Sequence, residues 1–158
     1  MHTIRRLKLG EGALYRKVRL EALRDSPEAF ATSYESALER NEESWIAQAD
    51  TSAEGDDRAT FLVLTNEEPV GMAAVYRDAE DDATGELIQM WVSPAYRGSS
   101  LATDLLQHVF TWAAEQGSET IRAEVTDGNT RALRFYERQG FRRITAEDGV
   151  VLAIEIGR

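Results

Sequence analysis

Two spacings of apolar residues take turns along the chain. Thr3 to Leu9 sets Ile4, Arg6 and Lys8 against Arg5, Leu7 and Leu9, which predicts a short strand interrupted at Gly10. From Glu11 to Arg24 the apolar positions Leu14, Val18, Ala22 and Leu23 return at helical spacing, and Ser26-Pro27 stops that helix. Residues 33–49 predict a broken helical stretch carried by Tyr34, Leu38, Trp45 and Ile46, and Thr51 to Arg58 reads as an exposed polar loop. The pattern then tightens. Phe61–Leu64 and Val70–Tyr76 predict a hairpin around the turn Asn66-Glu67-Glu68-Pro69. After the acidic loop Asp78–Gly85, Glu86–Val92 is a third strand closed by Ser93-Pro94. Leu101–Gln116 is the strongest helix, with a buried stripe of Ala102, Leu105, Leu106, Val109, Phe110 and Ala113 and a stop at Gly117. Ile121, Ala123 and Val125 alternate as a strand that turns at Asp127-Gly128. Asn129–Gln139 is a helix closed by Gly140, and Phe141–Thr145 with Val150–Ile156 predicts a last hairpin around Glu147-Asp148-Gly149.

This order implies one α/β (α+β) domain over residues 1–158, built on a mixed sheet. The strand–helix–strand unit from Glu86 to Val125 requires a crossover with parallel strands. Ligands of such sheets sit at the carboxyl ends of strands, beside the N-terminus of the following helix.

Composition narrows the function classes. With 18 Lys and Arg against 28 Asp and Glu, the net charge is −10, a field that repels nucleic-acid phosphates and attracts cations. Cysteine is absent, which excludes a disulfide framework, a thiolate nucleophile and Cys-ligated metals. The N-terminus lacks the apolar region of a signal peptide, and no apolar run approaches the ~18 residues of a membrane helix. A cytoplasmic location is the resulting expectation.

The rule for ligand position points at Val92-Ser93-Pro94-Ala95-Tyr96-Arg97-Gly98-Ser99-Ser100-Leu101-Ala102-Thr103, where a buried strand ends, a Gly- and Ser-containing loop follows and a strong helix begins. Free N–H groups at that helix start suit an anion, Arg97 adds a cation, and Ser99 or Ser100 can cap the helix or donate to a phosphate. A plain loop with a Ser cap has the same look. The segment is neither a P-loop nor a dinucleotide fingerprint, because the required Gly-Lys and Gly-x-Gly spacings are missing.

A second segment, Asn129-x-x-Ala132-x-x-Phe135-Tyr136-x-x-x-Gly140-Phe141, changes the reading. Together with the loop Arg97-Gly98-Ser99-Ser100-Leu101-Ala102, it resembles the GNAT superfamily of acyl-CoA N-acyltransferases. The strand from Glu86 into Ser93-Pro94 looks like that family's too, and the element order fits along essentially the whole chain. One position departs from the pattern: Ser100 stands where the family's loop has a glycine. The resemblance implies a mostly antiparallel sheet of about seven strands flanked by about four helices. It also implies acetyl-CoA as acyl donor, no metal, and direct transfer to a primary amine in a ternary complex. A non-catalytic acyl-CoA-binding domain is the alternative, motivated by Ser100. A homodimer through the C-terminal strands is the family's habit.

The same resemblance assigns roles. Met90, Trp91 and Val92 would pair with the pantetheine arm like an added strand. Arg97, Gly98, Ser99, Ser100, Leu101, Ala102 and Thr103 would hold the pyrophosphate. Asn129 would bond the cofactor, cap its helix, or do both, and Ala132 would pack close to the cofactor. Tyr136 is the expected general acid for the leaving thiolate, or else a core aromatic beside Phe135. Glu86 is the expected base, acting through water, or else an exposed strand-end carboxylate; Glu124 is the second choice.

By analogy with the family, and as the least regular region, residues 26–58 are expected to form the acceptor wall, with Phe30, Tyr34 and Glu35 as substrate contacts and Trp45 as further aromatic surface. Between positions 35 and 58, eight carboxylates (Glu35, Glu39, Glu42, Glu43, Asp50, Glu54, Asp56 and Asp57) stand against Arg40 and Arg58, which suggests a cationic amine. Simple solubilising charge gives the same composition. Arg131, Arg134, Arg138, Arg142 and Arg143 make the one basic patch, close to the expected cofactor end.

Overall fold

The alternation of side chains along the strands divides the core in two. Phe61, Val63, Ala73, Val75 and Leu87 face one side of the sheet, and Leu62 and Met72 face the other. Each face therefore needs its own helical cover. In the computed structural model, which describes residues 2–126, 128–144 and 150–156, both covers are present.

Seven strands form one sheet in the order β1-β2-β3-β4-β5-β7-β6. They are β1 (His2–Arg6), β2 (Arg58–Thr65), β3 (Glu68–Arg77), β4 (Thr84–Val92), β5 (Thr120–Val125), β6 (Arg142–Ile144) and β7 (Val150–Glu155). Every pairing is antiparallel except β4 with β5. The helices are α1 (Gly12–Asp25), α2 (Tyr34–Leu38), α3 (Glu42–Ala53), α4 (Leu101–Glu115) and α5 (Thr130–Arg138). Leu101, Leu105, Leu106, Val109 and Ala113 place α4 on the first face. Tyr15, Val18, Ala22, Leu23 and Trp45 place α1 and α3 on the second.

Several expectations are corrected. Thr51–Ala53 is the last turn of α3, not loop, because Ala49, Ser52 and Ala53 continue its buried face. The first strand ends at Arg6, and Leu7 turns into the core. The stretch 33–49 resolves into two helices, each with a side-chain N-cap, from Ser33 and Asn41. The hairpin turn contracts to Asn66-Glu67, both at positive φ, the two-residue geometry that matches strand twist. The turns expected at Asp127 and at Glu147–Gly149, and the strand end at Thr145, lie outside the described residues.

On α1 the expected positions Val18, Ala22 and Leu23 are buried, and the stripe continues through Tyr15 rather than Leu14. Gly12, Tyr15, Val18, Arg19, Ala22 and Leu23 are buried, whereas Leu14 is only partly so. Gly12 is needed for this packing: a Cβ there would stand 3.0 Å from the Ile46 backbone of α3.

Candidate active site

β4 and β5 run side by side only from Thr84↔Thr120 to Leu87↔Ala123. Beyond Leu87 they part, and Ile88–Val92 keeps a strand neighbour on the β3 side alone. A bulge drives the separation. The register of β4 against β3 shifts between Met72 and Ala74, and Gln89 opposite takes a left-handed φ of 54°. The resulting gap opens into a cleft of about 370 Å³. Met90, Trp91 and Val92 form one wall. The start of α4 and the inner face of α5 form the other. The short turn Pro27–Ala29 crosses one end, where Thr126 donates to the Glu28 carbonyl at 2.7 Å.

Most of the expected cofactor contacts meet here. Met90, Trp91, Val92, Arg97, Gly98, Ser99, Ala102, Thr103, Asn129, Ala132 and Tyr136 all line the cleft. Ser100 and Leu101 do not: Ser100 is exposed at the helix start and Leu101 is buried in the core. Gly98 has φ +84° with open space around its Cα, so glycine serves the turn there rather than a close approach. Ser100 sits at φ −80°, a right-handed conformation that makes no demand for glycine. Its hydroxyl donates to Asp104 at 3.3 Å and does not cap α4. The Ser99 hydroxyl donates to the Tyr96 carbonyl. The first N–H groups of α4 thus lack a good side-chain cap, with only a 3.4 Å contact from Leu101 N to Ser99 Oγ.

Arg97 lines the cleft, but its guanidinium is largely engaged within the protein. It donates to the Val92 carbonyl at 2.9 Å and to Asp25 at 2.6 Å. Asp25 also accepts from the Trp91 indole at 2.9 Å and from Ser26 at 2.7 Å. Burial alone would raise the Asp25 pKa, but these donors together hold it below the usual carboxylate range. Sequence reasoning missed this cluster, which ties the end of α1 to β4 and the loop; Asp25 lies 66 residues from Trp91 and 72 from Arg97. Arg131 and Arg138 are the basic side chains that line the cleft from α5, and Arg134 faces away.

Asn129 caps α5: its side-chain oxygen accepts from Ala132 N at 3.3 Å. Tyr136, on the inner face of the same helix, packs its ring against Phe135 and Phe141 at 5.5 and 5.1 Å. Burial pushes its phenol well above the ordinary value, so it is a proton donor rather than a base at neutral pH. Its hydroxyl makes no hydrogen bond to another described residue and is free for a ligand.

Glu86 lies outside the cleft lining, on the sheet face opposite Leu87. It is half-buried between Tyr76 on β3 and Arg122 on β5, its register partners, and pairs with Arg122 at 3.4 Å. Burial pushes its pKa up; Arg122 opposes this, and Asp78 and Glu124 add to it. Glu124 is exposed two residues beyond Arg122 on the same strand. Of the three expected acceptor contacts only Phe30 reaches the cleft. Tyr34 belongs to a separate groove on α1, and Glu35 is exposed. None of the eight carboxylates of residues 35–57 lines the cleft.

Comparison with known proteins agrees with this architecture. Residues 19–141 match the model of the acetyltransferase (GNAT) family. An uncharacterized N-acetyltransferase of Mycobacterium tuberculosis is 36% identical over 73 residues, 46% of each chain. The streptothricin acetyltransferase of Streptomyces lavendulae is 32% identical over 99 residues, 60% of this chain and 51% of that protein. The chain thus spans about half the length of the curated relatives it matches. Among solved structures, the PaiA N-acetyltransferase of Thermoplasma acidophilum, in complex with coenzyme A, superposes with a TM-score of 0.82 at 17% identity. That match covers 98% of this chain and 99% of the other. A parallel pair that splits at a bulge, a cleft behind it and a family model over most of its length lead to one conclusion: the chain belongs to the GNAT acetyltransferase family.

Proposed function

We propose that this chain transfers an acetyl group from acetyl-CoA to a primary amine, directly and within one ternary complex. The observation that carries the reading is the split between β4 and β5, with Met90–Val92 on one wall of the cleft and Tyr136 on the other. When bound, acetyl-CoA supplies a thioester carbonyl activated toward an amine and a thiolate leaving group. The residues fit such a ligand. The unpaired edge Met90–Val92 can pair with an amide-containing arm as an extra strand would. The start of α4, at Gly98, Ser99, Ser100, Leu101, Ala102 and Thr103, offers N–H donors to a pyrophosphate. Arg131 and Arg138 offer cations to a further phosphate, and the Asn129 amide nitrogen remains free to donate.

The chain's own groups manage two protons. Glu86, its pKa raised by burial, takes one from the incoming ammonium by relay through water. Tyr136 donates one from its hydroxyl to the departing sulfur and is restored by the proton that the nitrogen sheds as the amide forms. A thiol has a pKa of ~8.5, so donation from a phenol assists chiefly while charge builds on sulfur. Positioning amine and thioester in one cleft supplies the rest. A cytoplasmic location and a homodimer through the exposed edge strand β6 belong to the same reading.

Thiol release from acetyl-CoA, followed across a panel of polyamines, aminoglycosides, amino acids and basic peptides, tests it. Release that depends on an amine and yields the N-acetyl product is expected. Binding of acetyl-CoA without release in any mixture would replace the enzyme with a domain that only holds acyl-CoA.

A further inference from the structure

Arg19 stands on the buried face of α1, with only 7% of the residue exposed. Its guanidinium lies over the ring of Phe30, 4.6 Å from the centroid. No carboxylate among the described residues pairs with it, and its Nη1 is a buried donor with no partner. Arg40, another cation, acts on it unfavourably. Arg40 in turn lies 4.0 Å over the indole of Trp45, whose Nε1 is a second buried donor without a partner. Trp45 meets Tyr15 edge-on at 5.7 Å. Around Tyr15, then, sit two guanidinium groups and an indole N–H with no ion-paired acid among the described residues; Arg40 donates to Ser44, which leaves Arg19 Nη1 and Trp45 Nε1 as the orphaned donors.

Buried donors in native proteins almost always find an acceptor, and a buried charge without a counter-charge is strongly unfavourable. An anion supplied from outside resolves both problems. The location says which molecule brings it. Phe30, beneath the guanidinium, lines the cleft. The Tyr15 hydroxyl donates to Gln89 at 3.1 Å, and Gln89 is the bulge residue that immediately precedes Met90. Arg19 does not itself line the cleft but meets it through Phe30, and the cluster adjoins the strand where the acceptor must approach the thioester.

We propose that the acceptor carries a carboxylate together with its amine, as a free amino acid does, and that Arg19 receives this carboxylate. The inference rests on the acetyltransferase reading above and narrows it. A zwitterion satisfies both halves of the site, with its ammonium toward Glu86 and its carboxylate toward Arg19. It also departs from the expectation of a purely cationic amine.

The test compares matched acceptors: each amino acid, its carboxamide, and the amine that lacks the carboxyl carbon. Thiol release from acetyl-CoA is the readout. A charge-assisted contact predicts kcat/KM about ten- to a hundredfold higher for the acid than for its amide. Arg19→Met, which keeps an apolar stem over Phe30, should close that gap through KM of the acid; Arg19→Lys should keep part of it. Equal or better use of amides and simple amines by the unaltered protein would overturn the proposal while leaving the acetyltransferase reading intact. A gap that persists in a folded Arg19→Met variant would overturn it too. Absence of thiol release with every amine would overturn both.

Discussion

Removing one oxygen from Tyr136 separates a catalytic hydroxyl from a core aromatic. Tyr136→Phe keeps the ring among Phe135 and Phe141 at the distances seen here. The hydroxyl makes no hydrogen bond to another described residue, so its loss leaves no orphaned partner in the protein. The folded state should therefore change by less than about 1 kcal/mol. Catalysis should change far more. General acid catalysis contributes about 10²- to 10⁴-fold, so kcat is expected to fall at least about 10²-fold, roughly 2.7 kcal/mol in barrier height. Because the phenol is held protonated by burial, the defect should persist across neutral pH. The assay is thiol release under saturating amine, with acetyl-CoA affinity and melting temperature measured on the same preparation. A variant with unchanged kcat would refute the acid role and return Tyr136 to the core.

Glu86→Gln should lower kcat/KM and remove the acidic limb of its pH profile. In the unaltered protein the rate is lost as pH falls through the raised Glu86 pKa, so that limb should lie above the usual carboxylate range. An unaltered profile would move the base elsewhere, with Glu124 next to be tested. Asp25→Ala should cost about 2 kcal/mol of stability, reduced by partial exposure, because Trp91, Arg97 and Ser26 lose their common acceptor. The folded Asp25 pKa is depressed, so this contribution is complete above the unfolded pKa and is lost as pH falls through the folded one. Denaturant midpoints for both proteins should converge in acid; a constant difference down to low pH would contradict the pairing.

Much of the fold was legible in the sequence, because the strongest elements carry strong patterns. The stripe of α4 and the alternation of β5 identify their buried faces without tertiary information, and the continuous apolar runs of β2 and β3 mark strands buried on both faces. The parallel pairing of β4 and β5 follows from the helix between them. The α1–α3 region was less legible. Its helices are short or polar, and Arg19 occupies a core position that a hydrophobic pattern passes over. The cleft itself was placed by strand-to-helix topology and two motifs. Its restraints were not. The Arg97–Asp25–Trp91 cluster joins three elements, and a stretch of chain carries no trace of such a contact. Family analogy and the irregular pattern of the region put Tyr34 and Glu35 on the acceptor wall, whereas on α2 neither lines the cleft.

The central claim is that the cleft between β4 and α5 holds acetyl-CoA. Ala132 is a half-buried residue of its wall on a helix that tolerates leucine, so Ala132→Leu fills the cleft while keeping the helix. Calorimetric titration of acetyl-CoA into the unaltered protein and into this variant reads the claim directly. Saturable one-to-one binding that weakens at least about tenfold in Ala132→Leu, at least about 1.4 kcal/mol, is the predicted result. No binding to the unaltered protein, or equal binding to both, would contradict it.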